Sequence, residues 1–269
     1  MKHRLLLLLI AIFAATTVAV ALAPKPPASQ ETHTPKPKPK PKPKPTPKLP
    51  EIEMIRVEGG TFSMGSDDSD AWDDEKPVHS LSVSSFSIGK YEVTQKLWKA
   101  VMGSNPSYFK GDNLPVENVS WDDVQTFIRK LNQKTGKHYR LPTEAEWEFA
   151  ARGGNRSRGY KYSGSNDIDA VAWCTNNSGS KTHPVGTKSP NELGIYDMSG
   201  NVREWCQDWY GGKYYSSSPY SNPTGPSTGS YRVSRGGSWG GYARGCRVFR
   251  RNNFSPGFYG SYLGFRLAL

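Results

Sequence analysis

Three stretches of the chain place apolar residues at helical spacing, and each is bounded by its own start and stop signals. Thr94 stands where it can cap a helix running through Met102, with Gly103 as the stop. Ser120 opens a second helix, in which Val124, Phe127, Ile128 and Leu131 fall on one face. Thr143 opens a third, with Glu146 three residues on as a capping box and Gly153 at its end. Trp147 and Phe149 in that helix read as core. Strand patterns are shorter. Ile52 to Val57 and Thr61 to Met64 flank Gly59-Gly60, which predicts a hairpin. Leu81 to Ile88 alternates like one half-buried strand. Asp67 to Glu75 reads as an acidic loop around Trp72. From Gly154 onward helical spacing gives way to turns, Gly, Pro, Asn and short strands, and no repeat of solenoid period is present. A few helices among much ordered loop predict an α+β domain over residues 51–269.

The front of the chain belongs to another class. Met1 to Arg4 is short and basic, and Leu5 to Ala23 carries no charge. Residues 1–23 therefore read as a signal peptide or an N-terminal membrane anchor. Ala19-Val20-Ala21 and Ala21-Leu22-Ala23 resemble cleavage sites, but Pro24 would follow the second cut, and the apolar run is long enough to span a bilayer. Both readings stand. With no Cys here, a lipid-modified N-terminal cysteine is excluded. Residues 24–50 form a Pro/Lys-rich linker. Proline fixes φ and lacks a donor, so an extended polyproline spacer is expected, reaching roughly 84 Å at about 3.1 Å per residue. These features imply an exported protein, periplasmic or at the cell surface, held to the membrane or envelope through its N-terminus.

The net charge of +11 changes little in this picture. Residues 1–50 carry nine Lys/Arg and one Glu, so the globular part is only slightly basic. No nucleic-acid partner is implied; a basic spacer near an anionic surface suffices.

The end of the chain is unusual in composition. Residues 240–262 hold five Gly, four Arg, three Tyr and three Phe, and no Asp, Glu, Lys or Gln. Rigid aromatics, small polar groups and guanidinium are the ingredients of a recognition surface. A Gly-rich connection in a loop-rich fold is the alternative.

Ordered motifs then become recognisable. Glu58-Gly-Gly-Thr-Phe-Ser-Met-Gly65, Tyr91-Glu-Val-Thr-Gln95, Pro115-Val-Glu-Asn-Val-Ser-Trp121 and Arg140-Leu-Pro-Thr-Glu-Ala-Glu-Trp147 come first. Gly194-Ile-Tyr-Asp-Met-Ser-Gly-Asn201, Glu204-Trp205, Arg235-Gly-Gly-Ser-Trp239 and Gly264-Phe-Arg266 follow. Together they resemble the formylglycine-generating enzyme, or sulfatase-modifying factor, family. The resemblance covers about residues 52–269 and implies a C-type-lectin-like α+β fold with little regular secondary structure. A subset of that family resembles the variable proteins of diversity-generating retroelements, in which a hypermutated patch lies between motifs like Gly-Gly-Ser-Trp and Gly-Phe-Arg. Mutated adenines in Asn codons do not yield Lys, Glu, Gln, Met or Trp, and residues 240–262 contain none of these.

The family's oxidases convert a sulfatase cysteine to formylglycine with O₂, using two cysteines that hold copper(I). Soft copper(I) favours thiolates. The second position matches Cys246, with Ser238 in the preceding motif, but the first falls at Gly241, which has no ligand atom. Arg203 also replaces an aromatic residue of the oxidase site. In an exported protein, Cys174, Cys206 and Cys246 suggest one disulfide and one free thiol, with Cys206–Cys246 the expected pair. Another branch of the family uses a His-rich iron site, but His79, His138 and His183 are widely spaced. Asp197 and Glu204, with the carbonyls of Gly200 and Val202, match the family's calcium motif, and such oxygen ligands suit a hard cation. A second calcium site is absent where Ala172 and Trp173 stand.

The resulting expectation is a non-catalytic recognition domain displaying Tyr242, Arg244, Phe249, Arg250, Phe254, Phe258, Tyr259 and Tyr262 to a protein, peptide or glycan ligand. A formylglycine-generating oxidase with a modified metal site, using Cys246 and Ser238, is the alternative. A structural envelope protein is the third.

Overall fold

All three expected helices form where their caps stand. α1 (Gln95–Met102) starts with Leu97 N–H donating to Thr94 Oγ1 and ends at Gly103, whose φ of 84° suits glycine. α2 (Trp121–Thr135) has the full capping box of Ser120 and Asp123, and α3 (Glu144–Ala151) that of Thr143 and Glu146. Each such cap contributes about 1 kcal/mol. α1 and α2 bury one stripe each against the other: Trp98 stacks on Phe127 with ring centroids 5.0 Å apart, and Phe265 meets both rings edge-on. α4 (Ile168–Val171) is a single turn in the loop-rich half.

This computed structural model describes residues 21–25 and 49–269. Most of the leader expected at 1–23 and of the linker expected at 24–50 lies outside the described residues. Residues 49–269 belong to one compact unit. Among the described residues no helix is long and apolar enough to cross a membrane.

The expected hairpin at Gly59-Gly60 is not formed. β1 (Met54–Val57) pairs antiparallel with β4 (Phe86–Gly89), Val57 opposite Phe86. β2 (Gly60–Met64) pairs instead with β3 (His79–Val83), Gly60 opposite Val83. The cause is local. Gly59 N–H donates to Ser85 Oγ, and a Cβ on Gly59 would lie 2.6 Å from the Val83 carbonyl oxygen. The chain therefore crosses between two small sheets here rather than turning back. The same crossing splits the strand expected over 81–88 into β3 and β4.

A four-stranded sheet, ordered β7-β6-β5-β8, carries the second half of the domain. It comprises β5 (Arg203–Trp209), β6 (Arg232–Arg235), β7 (Arg251–Phe254) and β8 (Leu263–Gly264). β5 and β8 run parallel, and the other pairs antiparallel. α3 is tied to this sheet by buried ions. Glu144 accepts two hydrogen bonds from Arg251, at 2.7 and 2.8 Å, and Glu148 pairs with Arg235. Burial alone would raise the Glu144 carboxyl, but Arg251 and Arg235 outweigh it and hold it below the ordinary value. Arg266 grips Glu204 through two bonds of 2.6 Å, and Trp147 Nε1–H donates to the same carboxylate at 2.7 Å. The planar arginine fork matches each carboxylate, so these charges persist in a dry interior.

Candidate ligand-binding cleft

β5 and the turn after β6 place Arg203 beside Ser238. Arg203 Nη1–H donates to Ser238 Oγ at 2.7 Å, and its guanidinium carbon lies 5.3 Å from the centroid of the Tyr262 ring. Its Nε–H is buried without a partner, and Arg203 has no carboxylate within salt-bridge distance among the described residues. Burial lowers its pKa from the ordinary arginine value.

Two adjoining hollows open around this side chain. One, of about 250 Å³, is walled by Trp72, Tyr242, Arg244, Arg250 and Asn252. The other, of about 560 Å³, is walled by Thr175, Ser238, Trp239, Phe254 and Tyr262. Both include Arg203 and Gly240, which joins them into one cleft.

Five of the eight residues expected to form a contact surface line this cleft: Tyr242, Arg244, Arg250, Phe254 and Tyr262. Tyr259 is exposed but outside it. Phe258 stacks on Phe254, centroids 4.6 Å apart, and supports the wall from behind. Phe249 is misplaced by that expectation: it is buried and packs in the main core, so it offers no contact area.

The acidic loop shapes one wall. Its short 3-10 turn at Asp73–Glu75 follows Trp72. Glu75 accepts from Trp72 N–H at 3.0 Å and from Arg250 at 3.1 Å. Arg250 in turn lies 3.8 Å from the centroid of the Trp72 ring, a cation–π contact that holds the indole at the mouth.

The thiols lie beneath this floor. Gly237, at φ 75°, passes so close to Cys246 that an added Cβ would sit 2.6 Å from its Sγ. Cys246 is fully buried, in one apolar cluster with Cys174, Tyr162 and Val171. Burial, then the neighbouring Cys174, pushes the Cys246 thiol up to about 12. Cys206 packs in a different cluster, on β5, and all three cysteines are free thiols. The expected Cys206–Cys246 disulfide is therefore not formed, because the two side chains belong to separate cores. The residues present also do not fit the oxidases' copper(I) ion. Gly241 supplies no sulfur, and although Cys174 packs in the same cluster as Cys246, both thiols are buried away from solvent.

The comparisons agree with the motifs. A family model described as the sulfatase-modifying factor enzyme 1-like domain matches residues 39–269. The chain belongs to that family. The chaperone protein LppX of Paenibacillus barcinonensis is 38% identical over 70% of this chain and 78% of its own length. The formylglycine-generating enzyme of Thermomonospora curvata is 30% identical over 80% of this chain and 92% of its own. Among solved structures, Treponema denticola variable protein 1 superposes with a TM-score of 0.75 at 38% identity, covering 81% of this chain and 94% of that one. The α+β, C-type-lectin-like formylglycine-generating-enzyme fold is thereby established, with a variable protein among its structural neighbours.

In this sulfatase-modifying factor domain two of the four residues expected to bind calcium, Glu204 and Asp197, also accept hydrogen bonds from the protein. Both oxygens of Glu204 are held by Arg266, and Asp197 Oδ2 accepts from Gly186 N–H at 2.7 Å. Glu92 lies with them, accepting from Asn201 Nδ2 at 2.7 Å and Val202 N–H at 3.0 Å. Burial raises Asp197 to about 6, and burial together with Asp197 and Glu204 raises Glu92 well above its usual range. Glu204 is thus a counter-ion to Arg266. No cluster of three or more His, Cys, Asp or Glu residues arranged to hold a metal is found among the described residues.

Sequence reasoning missed Trp72, Trp239, Thr175 and Asn252 as cleft residues. They come from four separate segments, and only Trp239 sits in a family motif. Arg203 did carry a signal, as a cation where an aromatic was expected.

Proposed function

We propose that this domain is a non-catalytic binding module that presents the cleft around Arg203 to a ligand at the outside of the cell. One observation carries the reading: where the family's oxidases place two thiols, this chain has Gly241 and a Cys246 that is wholly buried. Ser238, the other residue of that centre, is engaged by Arg203. A soft metal has no pair of exposed thiolates to bridge, and a substrate thiol has no path to Cys246.

The likeness to Treponema denticola variable protein 1 supports a scaffold whose last loops are free to diversify. Tyr242, Arg244 and Tyr259 are exposed on those loops, while the buried arginine–carboxylate pairs beneath keep the backbone fixed. Aromatic area with arginine at its edge is the usual composition of an interface centre. Export through residues 1–23, and a reach set by the Pro/Lys linker at 24–50, complete the proposal.

A copper(I) titration combined with aldehyde detection on a sulfatase-motif peptide tests it. The reading expects neither tight copper binding nor aldehyde.

A further inference from the structure

The wall of the cleft is unusual in what it lacks. No Asp or Glu lines either hollow. Three arginines do, and they differ in how far they are neutralised. Arg250 is paired with Glu75 at 3.1 Å and Asp74 at 3.5 Å. Arg244, on the exposed rim, has only the Trp72 ring beneath it, at 5.5 Å. Arg203 has only a neutral hydroxyl and the Tyr262 ring, at 5.3 Å. Beside it, Asn252 Nδ2 is a second buried donor without a partner, and it lines the same hollow. A buried donor left unpaired costs roughly 1–3 kcal/mol, so this cleft is incomplete as it stands.

The donor-to-acceptor balance says what would complete it. Arginine donates and never accepts. A neutral sugar could exchange hydrogen bonds with Thr175, Ser238, Asn252 and the tyrosines, but it brings no negative charge to answer Arg203 and Arg244. A carboxylate accepts only, is planar, and can take the free edge of one guanidinium through two parallel bonds. The aromatic walls, Trp72, Tyr242 and Tyr262 among them, suit the apolar stems and peptide planes around such a group.

We propose that the cleft binds an acidic peptide segment, with one Asp or Glu carboxylate seated on Arg203 and Asn252 and a neighbouring acid on Arg244. The assignment rests on the non-catalytic reading above and narrows its ligand to one chemical class.

The test uses the full chain and two peptides of equal length, one rich in Glu and one with Gln at every Glu position. Binding is followed by calorimetry and by the fluorescence of the cleft tryptophans. The Glu peptide should bind, the Gln peptide should bind at least ten-fold more weakly, and added salt should weaken the Glu peptide most. Arg203→Met should reduce Glu-peptide affinity ten-fold or more, and Arg203→Lys should recover part of it. Arg244→Ala, on the exposed rim, should weaken binding several-fold with an unchanged melting temperature, which separates lost recognition from lost folding. Equal binding of the two peptides, or full affinity in Arg203→Met, would overturn the proposal. So would a preference for inorganic phosphate or sialic acid over the Glu peptide. Aldehyde formation on a sulfatase-motif peptide, assayed on the same preparation, would sink the non-catalytic reading itself and is scored separately.

Discussion

Arg203 donates to the Ser238 hydroxyl at 2.7 Å, and among the described residues no carboxylate answers its charge. Every fully buried arginine in the domain is answered: Arg235 by Glu148, Arg247 by Glu75 and Asp70, Arg251 by Glu144, and Arg266 by Glu204. The contrast separates the arginines that build the fold from Arg203, one of three that line the cleft. Five acids answer these four interior cations, whereas the partly buried Arg203 borders a hollow without one among the described residues.

The interior pairs make a first prediction. Glu144→Gln would leave Arg251 with a buried charge and no counter-ion, which costs about 3–5 kcal/mol. Chemical denaturation should show that loss as a lower midpoint with little change in slope. A loss below about 1 kcal/mol would mean that water reaches the pair.

The thiols make a second. Cys174, Cys206 and Cys246 are all buried and unbonded. A thiol-specific reagent at pH 8 should label none of them in the native protein and all three after denaturation. One thiol after denaturation without reductant, rather than three, would show that a disulfide does form.

A third concerns pH. Glu117 is buried, its Oε1 accepts from Phe109 N–H at 2.9 Å, and its Oε2 has no partner. Burial raises its pKa from 4.5 to about 7, while the Phe109 and Tyr108 amides pull the other way. Between those values the native state holds a proton that the unfolded chain has released. This group's share of stability is therefore fully present below about pH 4.5 and is lost as pH rises through 7. Melting curves should show Glu117→Gln losing less stability than the wild type between pH 5 and 7, after allowance for the carboxylates of opposite sign such as Glu144. Parallel curves would remove Glu117 as the cause.

Gly237 gives a fourth. At φ 75°, with Cys246 Sγ 2.6 Å from where a Cβ would sit, Gly237→Ala is both strained and crowded. The expected cost is roughly 1–3 kcal/mol. Pairing it with Cys246→Ala should recover only the Sγ part, because the Gly245 carbonyl oxygen at 2.7 Å and the Cys246 Cα at 2.9 Å still crowd the new Cβ; full recovery would show that neither this backbone crowding nor the positive φ costs anything.

Much of this was legible in the chain, and the exceptions have physical causes. Thr94, Ser120 and Thr143 announced their helices because caps and stops are local signals. Gly59-Gly60 misled because the Ser85 and Val83 contacts that turn it into a crossing come from 20 or more residues away. Composition over 240–262 named a recognition surface but could not divide it. Arg247, Phe249 and Arg251 point inward to partners at Asp70, Glu75, Glu144 and the core, whereas Tyr242, Arg244 and Tyr262 line the cleft. Strand β7 and the turn before it impose that division, and the run of Gly, Arg and aromatics hides their period. The neighbourhood of Cys174 and Cys246 was equally invisible, since 72 residues separate them. The motif around Glu204 likewise does not show that Arg266 bonds to both of its oxygens.

The absence of a working copper centre is tested most directly by aldehyde formation on a sulfatase-motif peptide with one equivalent of copper(I) and O₂. Wild type, Cys246→Ala and Cys174→Ala should be assayed side by side. The account predicts no aldehyde above the protein-free background in any of the three. Catalytic aldehyde formation by the wild type, abolished in both variants, would mean that Cys174 and Cys246 grip the metal between them and that this domain is an oxidase.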